Sequence, residues 1–201
     1  MVDAPAGTGL RVVAFALLVS AGAVAAEIDI DPFDYATAAE AQAAWAAMAG
    51  SPPASVADGG PWGAQRLTVF PCDFTAPERE RCYWDRAVAL DLTPYPVFGL
   101  RVYCDLPSPV SSFTLYFGSG DGWYGCSAAL PHPGWNDLIF QRADFEVEGS
   151  PAGWNLVDRI RLSPWRGSET NTTRPMSHGD KNTRPISVSR RWRLILLGAG
   201  A

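Results

Sequence analysis

Apolar and polar residues alternate in short segments through the middle of the chain, and Pro, Gly, Ser and Asp separate these segments. Because successive side chains of a strand point to opposite faces, a period of two predicts strands with one buried face. The clearest segments are 87–92, 97–104, 111–117, 135–140, 143–147 and 158–163. Strands with one wet face favour antiparallel sheets over parallel sheets covered by helices. The pattern therefore predicts an all-β fold, an antiparallel β-sandwich of the jelly-roll type.

The same alternation assigns side chains to the two faces of each strand. The inward positions carry large apolar residues: Phe98, Leu100, Val102, Phe113, Leu115, Phe117, Ile160 and Leu162. The outward positions carry polar or amphipathic residues: Arg101, Tyr103, Thr114, Tyr116, Arg159 and Arg161. We expect the first set to build the core, with Trp135, Trp154 and Trp165 packed at the corners of the sandwich.

One short helix is predicted ahead of the strands. Thr37 followed by Glu40 fits a capping box, in which hydroxyl and carboxylate each accept a hydrogen bond from an unsatisfied backbone N–H. The alanine-rich segment 38–48 then favours a helix that ends before Gly50. Trp45 is its one large apolar residue, and we expect it to plug an end of the sandwich.

The two ends of the chain differ in composition from the middle. Residues 12–26 form an apolar run that is too short to span a bilayer, preceded by Arg11 and closed by small residues. The sequence thus predicts a secretory signal peptide over 1–26, with a retained N-terminal anchor as the alternative. A β-sandwich domain is expected over 27–165. A polar basic tail over 166–201 is either disordered or a truncated closing strand.

Charge excludes some classes of partner. Residues 27–165 hold 18 acidic and 8 basic side chains, a net charge of −10, whereas residues 166–201 hold 2 acidic and 7 basic, a net charge of +5. Phosphate binding needs a basic face, so the acidic body predicts no nucleic-acid partner and no membrane contact beyond the signal peptide. The expected localisation is secreted, periplasmic or on the cell surface.

The four cysteines all lie in the predicted domain, and export would place them in an oxidising compartment. Three pairings are possible. Of these we prefer Cys72–Cys82, closing a surface loop, with Cys104–Cys126 joining neighbouring strand ends. The spacing disfavours a zinc site because it contains no CxxC pair.

Four stretches between residues 30 and 165 carry a family resemblance: DPFDYATAAEAQAAW, FGLRVYCDLPSPVSSFTLYFGSGDGWY, GWNDLIFQRADF and VDRIRLSPW. Their succession resembles the galactose-binding-like β-jelly-roll domains, which include many carbohydrate-binding modules. It is most similar to the complex I intermediate-associated protein 30 type and to modules of secreted bacterial polysaccharide-degrading proteins. The resemblance implies a non-catalytic domain whose partner is a glycan or polysaccharide. Such domains end in a further strand where this chain has its basic tail.

Sugar recognition combines flat aromatic faces with planar hydrogen-bonding groups. Outward Arg101, Tyr103 and Tyr116 lie on strands expected to be adjacent, and Trp123 and Tyr124 lie in the glycine-rich turn that follows. We expect these five residues to bind ligand. The alternative is a structural or interaction domain without sugar affinity, in which the same aromatic residues only pack.

Carboxylate side chains in the sequence suggest two further kinds of site, a calcium site and a hydrolase active site. Asp31, Asp34 and Asp158 are candidate oxygen ligands for a structural calcium ion, although no calcium-loop motif is present; no other cofactor is expected. A glycoside hydrolase would need two facing carboxylates, and the cluster of Asp144, Glu146 and Glu148 fits a solvated acidic edge better. The sequence therefore predicts no enzyme, with a hydrolase as the third hypothesis.

Overall fold

The computed structural model describes residues 27–58, 66–74, 78–104, 110–167, 183–189 and 195–197. Its strands are β1 (Glu27–Asp29), β2 (Ala46–Met48), β3 (Ser55–Asp58), β4 (Arg66–Asp73), β5 (Tyr83–Leu90), β6 (Val97–Cys104), β7 (Val110–Ala129), β8 (Gly134–Gln141), β9 (Glu146–Pro151), β10 (Val157–Arg166), β11 (Thr183–Ser189) and β12 (Ile195–Leu197). Its helix α1 spans Ala38–Ala44, and two 3-10 turns span Arg142–Asp144 and Trp154–Leu156. The signal-peptide prediction lies outside the described residues.

The strands form two antiparallel sheets. Sheet A has the order β1-β12-β6-β11-β4-β3. Strands β12 and β11 pair with the two ends of one edge of β6, and β8 pairs along its opposite edge. Sheet B has the order β2-β5-β10-β7-β9. Inward residues of both sheets meet in one apolar cluster that includes Phe70, Trp84, Phe98, Phe113, Phe117 and Ile160. The prediction of an all-β antiparallel sandwich is confirmed.

Strand β7 folds back on itself. Thr114 Oγ1 and Ser127 Oγ lie 2.7 Å apart although the two residues are 13 positions apart in the sequence. A straight strand would place them roughly 40 Å apart at about 3.3 Å per residue. The chain therefore turns between them, at Gly120, whose positive φ of 58° suits a tight turn. One arm of β7 pairs with β10 and the other with β9.

The helix is shorter than the sequence predicts. Its N-terminus resembles the expected capping box, since Glu40 N donates to Thr37 Oγ1 at 3.2 Å and Ala36 N donates to Glu40 Oε2 at 2.8 Å. The helix ends at Ala44, however, because Trp45 is extended and residues 46–48 pair with β5. Sheet hydrogen bonds outweigh the helix propensity of alanine there. Trp45 is fully buried, as expected.

Two other segments differ from the pattern-based expectation. The predicted strand 143–147 is broken by the 3-10 turn Arg142–Asp144, which lets Phe145 pack against Phe98 and Phe117 at ring distances of 5.4 and 5.6 Å. Parts of the predicted tail are strands of sheet A: β11 pairs with β4 and β6, and β12 pairs with β1 and β6. In the part of the chain that the structure describes, no helix is long and apolar enough to cross a bilayer.

Candidate functional site: an arginine–aromatic ladder on sheet B

Guanidinium groups and aromatic rings alternate along the outer face of sheet B. We call this row, in the order of its contacts, the ladder: Trp165, Arg81, Tyr83, Arg161, Trp123 and Arg159. Each guanidinium carbon lies within stacking distance of the adjoining ring centroids. The distances in the same order are 4.8, 4.7, 4.3, 4.2 and 4.7 Å. All are within the range of cation–π attraction.

Strand register brings the members of the ladder together. Strands β5 and β10 are antiparallel neighbours, so that Arg161 lies opposite Asp85, and an isolated bridge joins Arg81 to Trp165. The period of two places Arg159 and Arg161 outward, while Ile160 between them is fully buried in the core. Trp123 lies on the second arm of β7, where it pairs with Glu148 of β9.

Two glycines make room for the aromatic rings on this face. A Cβ atom at Gly118 would lie 2.9 Å from a ring carbon of Trp123, and one at Gly125 would lie 2.5 Å from a ring carbon of Tyr116. Any side chain at either position would push the ring away. With glycine there, Tyr116 and Trp123 meet edge to face, with centroids 6.1 Å apart and planes at 81°. Tyr116 is therefore 5% exposed although its strand position is outward.

Ion pairs hold two of the three ladder arginines in place. Arg161 donates from Nε and Nη2 to Asp85 Oδ1 and Oδ2 at 2.6 and 2.8 Å, and both side chains are about 15% exposed. Burial opposes the charge of Arg161, but the hydrogen bonds and attraction of Asp85 outweigh it and raise the pKa of Arg161. Arg159 donates to Asp158 Oδ1 at 2.7 Å and to the carbonyl of Gly120 at 2.6 Å.

Tyr116 lies where opposite charges converge. Burial and the nearby carboxylate of Glu148 raise the pKa of Tyr116, while Arg81 and Arg161 act against that rise. Glu148 is exposed on β9, directly opposite Trp123 in the strand register. The face thus presents guanidinium donors, tyrosine hydroxyls and carboxylate acceptors close together.

The five predicted ligand-binding residues do not share one surface. Tyr116 and Trp123 lie on the ladder face. Tyr124 points into the core, where it is 9% exposed and stacks on Trp154 with ring centroids 4.1 Å apart. Arg101 and Tyr103 belong to β6, which is in sheet A, whereas β7 is in sheet B. The expectation that these strands are adjacent and share one face is therefore corrected.

Arg101 and Tyr103 form part of a second surface cluster, on the outer face of sheet A. We call it the Trp135 patch: Arg101, Tyr103, Trp135 and Asp137. The Arg101 guanidinium carbon lies 5.0 Å from the Trp135 ring centroid, and the Tyr103 ring meets that ring edge to face at 5.2 Å. Arg101 Nε lies 3.2 Å from a carboxylate oxygen of Asp137.

Only Trp123 of the six ladder residues was predicted to bind ligand. Arg81 and Tyr83 lie in a charged, turn-rich stretch that showed no alternation over a long window, so its last residues were not assigned to a strand. Arg159 and Arg161 were placed outward but were not assigned to a site. The usable signal was the alternation Arg81, Tyr83, Asp85 at the start of β5, with Cys82 and Trp84 between them.

Asp31, a predicted calcium ligand, is the centre of a buried hydrogen-bond network. Its carboxylate accepts from the Phe33 backbone N–H at 2.8 Å, from the Tyr35 hydroxyl at 2.6 Å, from Trp45 Nε1 at 2.8 Å and from Arg86. These donors satisfy the charge without a metal ion, and a calcium ion would have to displace them. Burial, together with the Asp31 carboxylate, raises the pKa of Tyr35.

The remaining candidate ligands are spread over the surface. Asp158 accepts from the Gly120 backbone N–H at 3.2 Å as well as from Arg159, and Asp34 is exposed near the helix. Across the described ranges, no group of three or more His, Cys, Asp or Glu side chains is arranged as a metal site. The calcium site therefore stays a prediction from the sequence alone.

Among the described residues, the acidic cluster and His132 lie exposed at the surface. Asp144 lies in a 3-10 turn, while Glu146 and Glu148 lie on β9, and all three are exposed. His132 is in an exposed turn, with Nδ1 at 3.2 Å from the carbonyl of Pro133. His178 lies outside the described residues.

Within the described part of the chain, the cysteines form no disulfide bond. Cys72, Cys82 and Cys104 are at most 2% exposed. The Cys82 thiol is hydrogen-bonded to Cys72, and this contact, together with a backbone hydrogen bond of Asp73 and the charge of Arg79, outweighs burial and lowers the pKa of Cys82 to about 6. The first of the two predicted pairs is thus brought into contact.

Comparison with known proteins bears on the fold. No protein family matches the sequence, and no curated protein matches it. Solved structures do match, 21 chains in all. One of them is the family 11 carbohydrate-binding module of the cellulosomal cellulase Lic26A-Cel5E of Clostridium thermocellum. It covers 87% of this chain and 96% of its own, with a TM-score of 0.53 and 12% sequence identity.

At this identity the likeness shows the fold alone. It supports the expected resemblance to β-sandwiches of the carbohydrate-binding-module type. Nothing in the comparisons supports the complex I intermediate-associated protein 30 type.

Proposed function

We propose that this chain is a secreted, non-catalytic β-sandwich module that binds a glycan through the ladder face of sheet B. The observation that carries the proposal is the concentration of six aromatic or guanidinium side chains, with Asp85 and Tyr116, on one outer sheet face. The sandwich likeness to a carbohydrate-binding module supports it. The finer assignment of residues rests on the geometry of the ladder.

The face suits sugar hydroxyls through in-plane hydrogen bonds. Arg81 stacks between Tyr83 and Trp165, and no carboxylate lies within ion-pair distance of it among the described residues. A guanidinium group offers several N–H donors in one plane, which matches pairs of adjacent ring hydroxyls. The phenol groups of Tyr83 and Tyr116 and the carboxylate of Glu148 supply acceptors.

Glycoside hydrolysis does not fit the same residues. It requires one carboxyl group as acid and a second as base or nucleophile on either side of the scissile bond. Both carboxylate oxygens of Asp85 accept hydrogen bonds from Arg161. Glu146 and Glu148 lie two positions apart on one exposed strand. We therefore propose binding without turnover.

The second candidate is a structural or interaction domain without sugar affinity. One observation favours it: guanidinium groups already occupy faces of Tyr83 and Trp123. Those faces are the surfaces on which a pyranose would stack. In this case the ladder would only stabilise the sheet.

Binding to soluble glycans separates the two candidates. We would run the full chain in affinity gels that contain a mixed-linkage β-glucan, a xylan or a galactan, and measure any retarded pair by titration calorimetry. For the glycan that is bound, Trp123→Ala and Tyr83→Ala should each weaken affinity about tenfold or more, as is common for central aromatic residues.

Matched variants test which face binds. Trp135→Ala and Tyr103→Ala change the same residue types on the opposite outer face and should leave affinity unchanged, while Tyr116→Ala should reduce it. Loss of binding in the sheet A variants alone would move the site to the Trp135 patch. No retardation by any glycan, with a cooperatively unfolding sample, would contradict the proposed function and support the structural domain.

A further inference from the structure

Cys72 and Cys82 face each other across the interior of the sandwich. Cys72 is near the end of β4 in sheet A, and Cys82 directly precedes β5 in sheet B. Their side chains belong to one buried cluster and are 2% and 0% exposed. Cys82 Sγ lies 3.8 Å from the carbonyl of Asp73, the residue after Cys72, and the two thiols share a hydrogen bond.

Cys82 also separates two members of the ladder. Arg81 and Tyr83 point to the outer face of sheet B, and Cys82 between them points inward. The position of the Cys82 backbone therefore sets where both ladder side chains emerge. Ser163 Oγ donates to the Cys82 carbonyl at 3.3 Å, and Cys82 N donates to the Pro164 carbonyl at 3.2 Å, so that this point is already tied to β10.

We propose that Cys72 and Cys82 form an inter-sheet disulfide in the exported protein and that this bond holds the Arg81–Tyr83 section of the ladder in its binding geometry. The second half of this inference rests on the proposed function, whereas the first half does not. The bond closes a short covalent loop between positions 72 and 82, and Arg79 in this stretch already donates to the Gly50 carbonyl at 2.9 Å.

The oxidation is a thiol–disulfide exchange with a low-molecular-weight or protein disulfide. The Cys82 thiolate attacks one sulfur of the oxidant and expels one thiol, leaving a mixed disulfide. Cys72 gives up its proton and attacks Cys82 Sγ, forming the Cys72–Cys82 bond and expelling the second thiol. Two cysteine thiols are oxidised and one oxidant disulfide is reduced to two thiols. Because both sulfurs are buried in the finished fold, the exchange takes place while the sandwich is still open, during folding.

Tryptic mapping without reduction tests the bond directly. Trypsin cuts after Arg66, Arg79, Arg81 and Arg86, which places Cys72 on peptide 67–79 and Cys82 on peptide 82–86. Cys104 and Cys126 fall together on peptide 102–142. The full chain, exported into the periplasm of a host cell and alkylated before digestion, should yield peptides 67–79 and 82–86 as one linked species. Either peptide linked to 102–142 instead, or both recovered as alkylated monomers, would overturn the proposal.

Stability and binding of matched variants test the consequence. Cys72→Ala and Cys82→Ala should each lower Tm by roughly 5–10 °C, the loss expected for opening a loop of this size in a chain of this length. Cys126→Ala, on the β7 arm, should not reproduce this shift. Wild type that has been unfolded, reduced and refolded in dithiothreitol should reproduce it without a mutation, because both sulfurs are buried in the finished fold.

If the proposed function holds, protein refolded in dithiothreitol should also bind the glycan about fivefold more weakly, because the ladder must then be ordered on binding. A linked peptide with unchanged affinity after reduction would refute the coupling but not glycan binding. Absence of glycan binding in both redox states would refute the proposed function while leaving the disulfide result intact.

Discussion

Replacement of Asp31 by alanine is the sharpest test of how the segment ahead of the helix is held to the sandwich. The Asp31 side chain is 1% exposed, and its carboxylate is the common acceptor for four donors. Two of them, Trp45 Nε1 and the Phe33 backbone N–H, belong to residues that are fully buried. Removing the carboxylate leaves these groups without an acceptor and leaves Arg86, whose side chain is 25% exposed, without its counter-ion.

The expected loss of unfolding free energy in Asp31→Ala follows from this arrangement. Removing one member of a buried ion pair costs about 3–5 kcal/mol, because the remaining charge is left uncompensated. Water reaches part of Arg86, which reduces that figure, but each buried donor that loses its acceptor adds about 1–3 kcal/mol. We expect Asp31→Ala to lower the free energy of unfolding by about 3–5 kcal/mol. That is a large share of the 5–15 kcal/mol typical of a domain.

Asp58→Ala is the matched control. Asp58 also pairs with an arginine, Arg66, at 2.7 Å, but the two side chains are 67% and 38% exposed. An exposed pair of this kind contributes little to stability, because water and salt screen it. Urea unfolding followed by tryptophan fluorescence should show a large fall in the midpoint for Asp31→Ala and almost none for Asp58→Ala, with equal slopes.

An equal loss of unfolding free energy in the two variants would refute the view that an ion pair at Asp31 stabilises the fold because it is buried. The same samples test the calcium prediction. If Asp31 acted as a calcium ligand, a chelator would lower Tm of the wild type and would not affect Asp31→Ala. The hydrogen-bond network instead predicts no chelator effect in either protein.

Three further predictions concern the ladder face, pH and the core. Gly125→Ala should lower the free energy of unfolding by about 1–3 kcal/mol, because the new methyl group meets the Tyr116 ring at 2.5 Å; a stability within 0.5 kcal/mol of the wild type in urea unfolding would contradict that geometry. The pKa of Tyr35 is raised above its ordinary value of 10.0 by burial and by Asp31, so the folded chain keeps this proton when the unfolded chain loses it. The stability that Tyr35 contributes is therefore complete below about pH 10 and is lost as the pH rises further. Tyr35→Phe should flatten the alkaline fall of the unfolding midpoint. An unchanged fall would exclude Tyr35 as the source of that pH dependence. Trp154→Ala should cost about 3–5 kcal/mol, since Trp154 stacks on both Phe98 and Tyr124; a thermal melt within 3 °C of the wild type would show that the indole is dispensable.

Local pattern was sufficient for several features of this chain. The period of two in 97–104 and 158–163 placed Phe98, Leu100, Ile160 and Leu162 inward, and all four are at most 2% exposed. The Thr37–Glu40 pair located the start of the helix, because capping depends on residues only three positions apart. Such features could be predicted because the interactions that produce them lie within a few residues of one another.

The end of the helix and the division of strands between sheets could not be predicted in this way. Alternation shows which face of a strand is wet, but it carries no information about which strand will pair with it. Strands β6 and β7 follow one another in the chain yet lie in different sheets, which separates Tyr103 from Tyr116. Residues 46–48 are alanine-rich, but they pair with β5, and this pairing ends the helix.

The sequence by itself therefore determined the fold class, the inward residues of the clearest strands and the start of the helix. Tertiary structure decided where a candidate site can be. The ladder face brings together side chains that are far apart in the chain: Arg161 of the ladder and its ion-pair partner Asp85 are 76 positions apart and meet only because β5 and β10 are neighbours in sheet B. The physical reason is that a surface of this kind depends on strand order and register. Both are set by the packing of the whole sandwich and not by any one segment.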